Sequence, residues 1–512
     1  MSESDPHECS NIVSDEQALS SLAKALTPGN RHLILVAVSM GAMLHSMAAT
    51  SVSVILPQLQ GSLSATPDQI SWVITLAVIG SVVATPISGW LVDRVGWRRV
   101  VLISVVGFSI STFLCATTNT LAPMLVYRFF QGAFGAPMIP VAQAILLATY
   151  PTEDRAWSQA VHGIATVLGQ AVAPVIGGYF AEAYDWRWSF LYLLPLAGVA
   201  VVMTLMWVPR GGTRRGAHID WPSFISLSIA IGAFQLALDR GERLNWFEST
   251  LITSYTVIAV VGFIYFLYRT FQQERPFIDL SLFLDKNFAL GTLLIIIFGM
   301  VSFLPNYLYP VILGNLQGYP EDAIAQVLFI RGLGLLLGFV VVSFIAAPFP
   351  RLTLLLGFFF AGVAGLQGVF FTLDVQFSQV AWASFAQGFG VALIWVPAII
   401  IAFSTLPAVL LAQSSALFHL IRQVAMSATL AITVAITLRT GTISYFELST
   451  QLNLRSNLRD DWDVTSLQGI ALLSEEVDRQ AQMIGYVNGF VAYTVACGLG
   501  LVLSLVIGGR RR

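Results

Sequence analysis

The sequence predicts an all-α protein made of many membrane-spanning helices, and three observations lead to that class. Of the 512 residues, 56% are hydrophobic and only 11% are charged, about half the charged share of an average soluble domain. The mean hydropathy is +0.76. The apolar residues are gathered in runs close to the roughly 20 residues that cross a bilayer as a helix. The 41 glycines agree with this class, because small residues let membrane helices pack closely.

The apolar runs predict fourteen membrane spans. They cover residues 33–55, 70–92, 100–117, 121–148, 158–181, 188–208, 221–239, 250–268, 288–313, 323–347, 351–372, 377–402, 410–438 and 485–508. Most connections between them are short, and the connection over 440–484 is long. Residues 1–30 are polar and show no cleavable signal peptide, so we expect the first run to remain as a span.

Basic residues predict the orientation of these spans. With an even number of spans, both termini lie on one side of the membrane. Most of the 26 Lys and Arg residues fall on that side, and the short loops of cytoplasmic faces carry an excess of positive charge. We therefore expect both termini in the cytoplasm and the loop over 440–484 outside. Within this loop, the apolar residues of 466–484 recur at helical spacing, so we expect an amphipathic helix that leads into span 14.

The composition also excludes several classes of function. The net charge of −2 provides no basic surface for nucleic acid. The three cysteines form no disulfide framework, and the histidines have no metal-ligand spacing. No nucleophile–base pair appears either. The sequence therefore predicts a protein that is not an enzyme, with no cofactor and no metal site.

Uncompensated positive charge inside the apolar runs is the most informative feature of the chain. Three arginines lie within predicted spans, and no Asp or Glu lies well inside one. Because a charge in the membrane is costly, it usually faces a polar cavity or a transport pathway. Gln131 follows Arg128 by one helical turn on the same face. The candidate residues of such a cavity are His45, Arg128, Gln131, Arg331, His419, Arg422 and Gln423.

Two further motifs have distinctive spacing. Between spans 2 and 3 the chain reads G-x-x-x-D-R-x-G-x-R-R, formed by Gly89, Asp93, Arg94, Gly96, Arg98 and Arg99. A glycine allows close approach of a neighbouring helix, and arginines anchor the membrane interface; from the charges alone, a tight cytoplasmic turn would suffice. Span 5 contains Gly169, Pro174, Gly177 and Gly178. Proline bends a helix, and the glycines permit tight packing at the bend.

Together these motifs resemble the major facilitator superfamily, and in particular its fourteen-helix drug:proton antiporters of the EmrB/QacA type. The first motif is similar to the signature gate loop of that superfamily, and the R-x-x-Q-G of span 4 to a motif near the proton route. The P-x-x-G-G that ends at Gly178 resembles the antiporter motif, although Gln170 and Ala173 depart from it. The resemblance extends over residues 33–508, and the stretch 479–483 favours the EmrB branch.

The resemblance implies a major facilitator fold, with two six-helix bundles and an inserted two-helix hairpin. The N-terminal bundle would cover residues 33–209 after a cytoplasmic tail over 1–30. The hairpin of spans 7 and 8 would cover 217–272, and the C-terminal bundle 285–510, including the external loop 440–484. In such folds, substrate binds near the midplane between the bundles.

The resemblance also implies a function. It suggests a secondary active transporter of the cytoplasmic (inner) membrane that exports amphipathic drugs or toxic compounds by proton antiport. The expected partners are membrane lipid, a small amphipathic substrate and the proton, together with a periplasmic adaptor protein and an outer-membrane channel. Two alternatives remain open. One is an exporter or facilitator of a single metabolite with altered or absent proton coupling, and the other is a sensor or scaffold that transports nothing.

Span 1 departs from the family at the position where an aspartate commonly carries the proton. Ala48 stands there, so the chain lacks this carboxylate. His45 lies one turn before Ala48 and about 18 Å into the span, at 1.5 Å per residue. His162 and His419 are the other histidines within spans, but Arg422 lies one turn from His419, and a nearby cation disfavours protonation. His45 is therefore the best candidate for a proton carrier, with a hydrogen-bonded packing residue as the alternative.

Overall fold

The computed structural model describes residues 21, 25–213, 219–273, 276–451 and 466–506. Within these ranges the chain is helical and contains no β-strand. Fourteen helices there are long and apolar enough to cross a membrane, so the predicted all-α class and the number of spans are confirmed. We number these helices as spans 1 to 14.

The spans follow the predicted runs closely. In order they are Pro28–Ser62, Pro67–Ala84, Trp97–Thr117, Leu121–Thr149, Arg155–Ala183, Trp188–Trp207, Trp221–Arg240, Thr250–Gln272, Lys286–Gly314, Ala323–Ile345, Pro350–Val369, Phe377–Ala402, Ala408–Gln451 and Leu467–Val506. Span 4 consists of two helices, Leu121–Gly135 and Met138–Thr149, on either side of Pro137. Proline has no N–H to donate, so the helical hydrogen bonds are interrupted there.

Span 2 is shorter than predicted. It ends at Ala84, and a separate short helix, Ile87–Val95, follows after Pro86. The N–H of Thr85 still bonds the Ser81 carbonyl, at 3.0 Å, but Pro86 cannot continue the series. Part of the G-x-x-x-D-R motif therefore lies on this short helix. The turn comes only at Gly96, whose φ of 88° favours glycine.

The described parts of the long connection over 440–484 are helical. Helix Leu411–Gln451 and helix Leu467–Val506 extend into it from both sides. Polar pairs at helical spacing support the second extension, including Arg479 with Glu476 at 3.0 Å and Gln482 with Asp478 at 2.6 Å. The amphipathic helix predicted for 466–484 forms the start of span 14. The charged residues Arg455, Arg459, Asp460 and Asp461 lie outside the described residues.

The chain divides into two compact units. Unit 1 comprises Met1–Ile295, Phe339–Pro350 and Val396–Val424, and unit 2 comprises Ile296–Gly338, Arg351–Trp395 and Ala425–Arg512. Segment 396–424, which joins spans 12 and 13, thus belongs to unit 1. The bundle boundaries expected from the sequence, at 33–209, 217–272 and 285–510, remain a prediction.

Within unit 1, polar contacts join the end of span 7 to the first half of span 2. Arg240 donates to Asp68 at 2.6 Å, and its guanidinium carbon lies 4.3 Å from the centre of the Trp72 ring. The Thr75 hydroxyl donates to Asp239 at 2.6 Å. Because Arg240 is 5% exposed, its charge needs these partners.

Candidate functional site

Arg128 is held inside unit 1 by neutral oxygens. It is 2% exposed; its Nε donates to the carbonyl of Val73 at 3.1 Å, and its Nη1 donates to Oε1 of Gln131. Gln131 in turn donates to the hydroxyl of Thr112 at 2.7 Å. No ion pair joins Arg128 to an acidic residue in the part of the chain that the structure describes. The predicted contact with Gln131 is therefore present, and the guanidinium remains uncompensated.

Two glycines bring spans 2 and 4 together around Arg128. A Cβ at Gly132 would overlap the carbonyl oxygen of Ala77, and a Cβ at Gly80 would overlap that of Phe129. The backbones therefore touch, as small residues permit in membrane helices. This close contact places the Val73 carbonyl within reach of Arg128. We call spans 2 and 4 the first helix pair.

Arg331 makes a comparable contact in unit 2. Its Nε donates to Oε1 of Gln387 at 2.6 Å, and its Nη2 donates to the carbonyl of Ser302 at 3.0 Å. Gln387 donates to the carbonyl of Val301 at 2.9 Å. Glycines again allow the contact between spans 10 and 12: a Cβ at Gly388 would overlap the carbonyl oxygen of Arg331. We call spans 10 and 12 the second helix pair.

His45 packs against the backbone of span 4. A Cβ at Gly135 would overlap its Nδ1, so only glycine leaves room for the ring. His45 is half-buried and makes no hydrogen bond to any described residue. Both Arg128 and Arg422 are near enough to act on it electrostatically. Ala48, one turn on, is 5% exposed.

The other two histidines within spans have hydrogen-bond partners in unit 1. Nδ1 of His162 lies 3.1 Å from the hydroxyl of Ser39, and Nε2 of His419 lies 2.6 Å from Oε1 of Gln143. All four side chains are buried. Ser39 and Gln143 were not among the candidate residues predicted from the sequence. Gln143 could have been predicted, because it is a polar residue within an apolar run.

The start of span 13 packs against the short helix and against span 4 within unit 1. A Cβ at Gly89 would lie 2.7 Å from Cα of Gln413, so the backbones of the short helix and of span 13 are in close contact here. Ser415 donates to the carbonyl of Pro140 at 2.9 Å, and Gln423 donates to the hydroxyl of Thr85 at 3.3 Å. Together with the bond between His419 and Gln143, these contacts join segment 396–424 to span 4 and to the residues that follow span 2.

No group of His, Cys, Asp and Glu that could hold a metal ion occurs among the described residues. The polar groups brought together are instead arginines, amides, hydroxyls and histidines. Such a set can hydrogen-bond a polar part of a substrate. It contains no carboxylate that could share this task.

Comparison with known proteins identifies the family. The profile of the Major Facilitator Superfamily matches residues 38–430. The chain belongs to this superfamily. It is 30% identical over 433 residues to the multidrug export protein EmrB of Escherichia coli strain K12, covering 82% of the chain and 83% of the relative. It is 28% identical over 433 residues to the probable multidrug resistance protein EmrY of the same strain, covering 84% of each.

A solved structure is similar in fold. The human organic anion transporter MFSD10 (TETRAN) superimposes with a TM-score of 0.63 and 14% identity, covering 94% of this chain and all of that one. At this identity the likeness shows the fold alone. The chain is thus a multi-pass membrane protein with the major facilitator fold and of the EmrB type, in a family of transporters.

The motif loop of this facilitator is fixed by contacts beyond the loop itself. The N–H of Trp97 donates to the carbonyl of Gly211 at 2.9 Å. A Cβ at Gly212, whose φ is 77°, would overlap the Trp97 ring. The loop after span 2 is therefore packed on the chain that leaves span 6. Arg94 and Arg99 are exposed, whereas Asp93 and Arg98 are half-buried.

The glycines of span 5 bring it against span 1. A Cβ at Gly169 would lie 2.8 Å from the carbonyl oxygen of Met43, and one at Gly177 would overlap the hydroxyl of Ser51. Gly178 faces Val54, with 3.3 Å available. Pro174 lies inside the helix between these contacts. The glycines of span 5 are therefore packed tightly against span 1, which also contains His45.

Proposed function

We propose that this protein exports small amphipathic compounds across the cytoplasmic membrane as a secondary active transporter. The observation that carries the proposal is the likeness to a multidrug export protein over four fifths of both chains. That likeness extends through the spans that contain the buried, uncompensated Arg128. A charge kept inside the membrane without a carboxylate partner is costly, and such charges usually serve a pathway.

Accumulation of a fluorescent amphipathic dye in cells that lack their own pumps tests this proposal. Cells with the full chain should hold less dye than cells with the empty vector, and a panel of amphipathic compounds should define the substrates. Arg128→Ala should restore accumulation with near-normal amounts of protein in the membrane. Equal dye levels with and without the protein, across the panel, would refute export.

Alternating access requires a side of the transporter that opens and closes. We place the closed contact at segment 396–424, where Gln413 meets Gly89, Ser415 meets Pro140 and His419 meets Gln143. These contacts involve few side-chain hydrogen bonds, so they can separate at moderate cost. Cysteines in place of Gln143 and His419, in a chain without its native cysteines, should form a cross-link that stops export, and reduction should restore it.

We propose that export is coupled to proton entry and that His45 carries the proton. Three observations support His45. It lies one turn from Ala48, its half-buried side chain makes no hydrogen bond to any described residue, and no Asp or Glu lies well inside a predicted span. Loss of the proton gradient distinguishes this from the alternative, a metabolite facilitator without coupling. A protonophore should stop uphill export, whereas facilitated movement would continue. A sensor or scaffold would show neither.

For localisation and partners, we propose a cytoplasmic (inner) membrane protein with both termini in the cytoplasm. The helical extensions of spans 13 and 14 would then lie outside, where an adaptor protein could lead substrate to an outer-membrane channel. A groove of about 840 Å³ lies between them, lined by Tyr445, Phe446 and Tyr486 among others. Phe446 is 63% exposed, which suits contact with a partner.

The adaptor proposal is tested by separating transport from resistance. Phe446→Glu places a charge on the groove and should abolish resistance in intact cells. Uptake into inside-out vesicles should stay normal, because the vesicles need no adaptor. Tyr268→Glu, a similarly exposed aromatic position on span 8, serves as the control. Unchanged resistance with Phe446→Glu would count against an adaptor at this groove.

A further inference from the structure

A row of aromatic rings leads from the short helix after span 2 to the chain between spans 8 and 9. The ring centre of Trp90, on the short helix, lies 6.3 Å from that of Trp221 at the start of span 7. Trp221 in turn lies 6.1 Å from Phe224, and Phe224 lies 5.4 Å from Phe277. All three pairs meet edge to face, which aromatic rings favour at these distances. The row therefore joins three separate segments of unit 1.

The row continues to span 13 and closes on itself. Nε2 of Gln413 donates to the carbonyl of Phe277 at 3.2 Å. Cα of Gln413 also makes the close contact with Gly89, next to the first ring of the row. The contacts thus form a circuit that runs from the short helix through span 7 to span 13 and returns directly to the short helix. We call the side chains of Trp221, Phe224 and Phe277 the strap.

Phe277 is buried although it lies outside any helix. It belongs to the connection between spans 8 and 9 and is 5% exposed, and the neighbouring Ile278 is 4% exposed. Connecting segments usually run over the surface of a protein. Burial of two apolar side chains favours a fixed position for this part of the connection. The carbonyl of Phe277 is therefore a fixed acceptor for Gln413.

The strap begins where the two ends of the hairpin of spans 7 and 8 are joined. Arg269, near the end of span 8, pairs with Asp220, which precedes span 7, at 2.8 Å. The hydroxyl of Ser223 also donates to Asp220. The opposite end of the hairpin is attached to span 2 through Arg240 and Asp68. The hairpin is thus attached at one end to span 2 and at the other, through the row of rings, to the short helix that follows span 2.

We propose that the strap holds the contact between span 13 and the short helix closed, so that the inserted hairpin stabilises one state of the alternating-access cycle. The proposal rests on the proposed function and gives the hairpin a role in it. Span 13 cannot leave the short helix without breaking its hydrogen bond to Phe277 or one of the ring contacts. Because these contacts lie in series, loss of any one of them releases the whole strap.

The rate of thiol labelling measures how often this contact opens. Ser415 is fully buried and donates to the carbonyl of Pro140. In a chain without its native cysteines, Ser415→Cys should react with a water-soluble maleimide only while the contact is open. The full chain is labelled in lipid nanodiscs, which leave both faces accessible, so the result does not depend on the orientation in the membrane. This cysteine chain is the parent for the variants below.

Two conservative substitutions break the strap at different places. Phe224→Leu removes two ring contacts and keeps an apolar side chain. Gln413→Met removes the donor to Phe277 and keeps the length of the side chain. Each should raise the labelling rate about threefold to tenfold, as expected for the loss of about one hydrogen bond. Because Phe224 is far from Ser415 in sequence, its effect cannot come from a change in the chain next to the cysteine.

The double variant distinguishes a strap from two independent contacts. Contacts in series are lost together, so Phe224→Leu with Gln413→Met should be labelled no faster than the faster single variant. Independent contacts would instead give the product of the two single effects. Phe263→Leu is the matched control, because its ring also lies 6.1 Å from a phenylalanine, Phe266, but within span 8 alone. It should be labelled at the rate of the parent.

Equal labelling of the parent and both single variants would overturn the proposal, as would a double variant in which the two single effects multiply. Dye accumulation in cells separates these outcomes from failure of the proposed function. If the strap fails but the parent still excludes dye, export stands and the hairpin does not control it. If the parent excludes no dye, the proposed function fails, whereas faster labelling of both single variants without a further increase in the double variant would still support the strap.

Discussion

The first and second helix pairs use the same backbone contact to hold different side chains. Gly132 meets the carbonyl of Ala77 in the first pair, and Gly388 meets the carbonyl of Arg331 in the second. Each pair also contains a glutamine next to the contact glycine, at 131 and 387. The arginine, however, lies on different helices of the two pairs: on span 4 in the first pair and on span 10 in the second.

A hydrogen bond at the equivalent position of both helix pairs supports the correspondence between them. In the first pair, Arg128 donates to the carbonyl of Val73 at 3.1 Å. In the second, Ser384 occupies the position of Arg128 and donates to the carbonyl of Val327, also at 3.1 Å. The glycine contact and this hydrogen bond are thus common to both pairs. The arginines differ in exposure, because Arg128 is 2% exposed whereas Arg331 is half-buried. The first arginine is enclosed by protein, and the second keeps part of its surface exposed.

The largest expected effect comes from breaking the contact that both pairs share. Gly132→Ala and Gly388→Ala each place a Cβ on a backbone carbonyl, which cannot move as a side chain can. Overpacking costs about 1–3 kcal/mol, and more where backbone must shift. Both variants should therefore lose most folded protein, measured by fluorescence-detected size exclusion and thermal unfolding.

Gly332→Ala is the control for this pair of substitutions. It lies beside Arg331 in span 10, and nothing approaches its Cβ position within 4 Å. It should be tolerated and slightly stabilising, because alanine favours helix more than glycine does. If Gly388→Ala were as stable as Gly332→Ala, the two pairs would not share a contact and the comparison would be lost.

The next effect separates the charge of Arg128 from its hydrogen bond. Arg128→Ser copies the residue of the second pair and can still donate to the carbonyl of Val73, whereas Arg128→Ala cannot. Export should fall about tenfold or more in both, since hydrogen bonds of a charged group contribute about 1.5–3 kcal/mol. Only Arg128→Ala should also lose stability, by about 1 kcal/mol.

Export is measured as dye efflux and stability as the unfolding temperature, with Arg243→Ser as the control. Arg243 is exposed and shares Asp68 with Arg240, so its loss leaves the ion pair in place. Normal efflux by Arg128→Ser would show that the position needs a donor and no charge. Failure of both Arg128 variants to accumulate would show that the charge is structural.

The sequence predicted those features that depend on neighbours along the chain. Arg128 and Gln131 are three residues apart, so helical geometry alone placed them together. Arg331 and Gln387 are 56 positions apart, and His419 and Gln143 are 276 apart. No periodicity links such pairs, and only packing brings them together. The extension of span 13 from 439 to 451 was not predicted, because the apolar run ends at 438. The helix over 466–484 was predicted, because its apolar residues recur at helical spacing.

A third prediction concerns the groups that can titrate. All six histidines fall within the sequence ranges of unit 1 and none within those of unit 2. Proton exchange through a histidine should therefore depend on unit 1, where His45 is half-buried and makes no hydrogen bond to any described residue. His45→Gln keeps a hydrogen-bonding side chain but cannot titrate near neutral pH. Proton release on substrate addition should vanish, whereas substrate binding should persist.

Proton release is measured with a pH dye in weakly buffered solution, with His162→Gln as the comparison. His162 is buried and bonded to Ser39, so its substitution should leave release largely intact. Uphill export by His45→Gln at the rate of the parent would make His45 a packing residue. Loss of release in His162→Gln alone would assign the proton to that histidine instead.

The smallest expected effect tests whether Ser384 truly replaces part of Arg128. Ser384→Ala removes the bond to the carbonyl of Val327 and leaves that buried oxygen with fewer donors, which costs about 1 kcal/mol. The unfolding temperature in nanodiscs should fall by a few degrees. Dye efflux should stay unchanged, because Arg331 keeps its hydrogen bond with Gln387. Ser343→Ala, whose hydroxyl is more exposed and bonds its own helix at 2.6 Å, should change neither quantity. An equal loss of stability in the two variants would mean that Ser384 contributes only what any helical serine does, and the hydrogen bond would no longer support an equivalence between the two pairs.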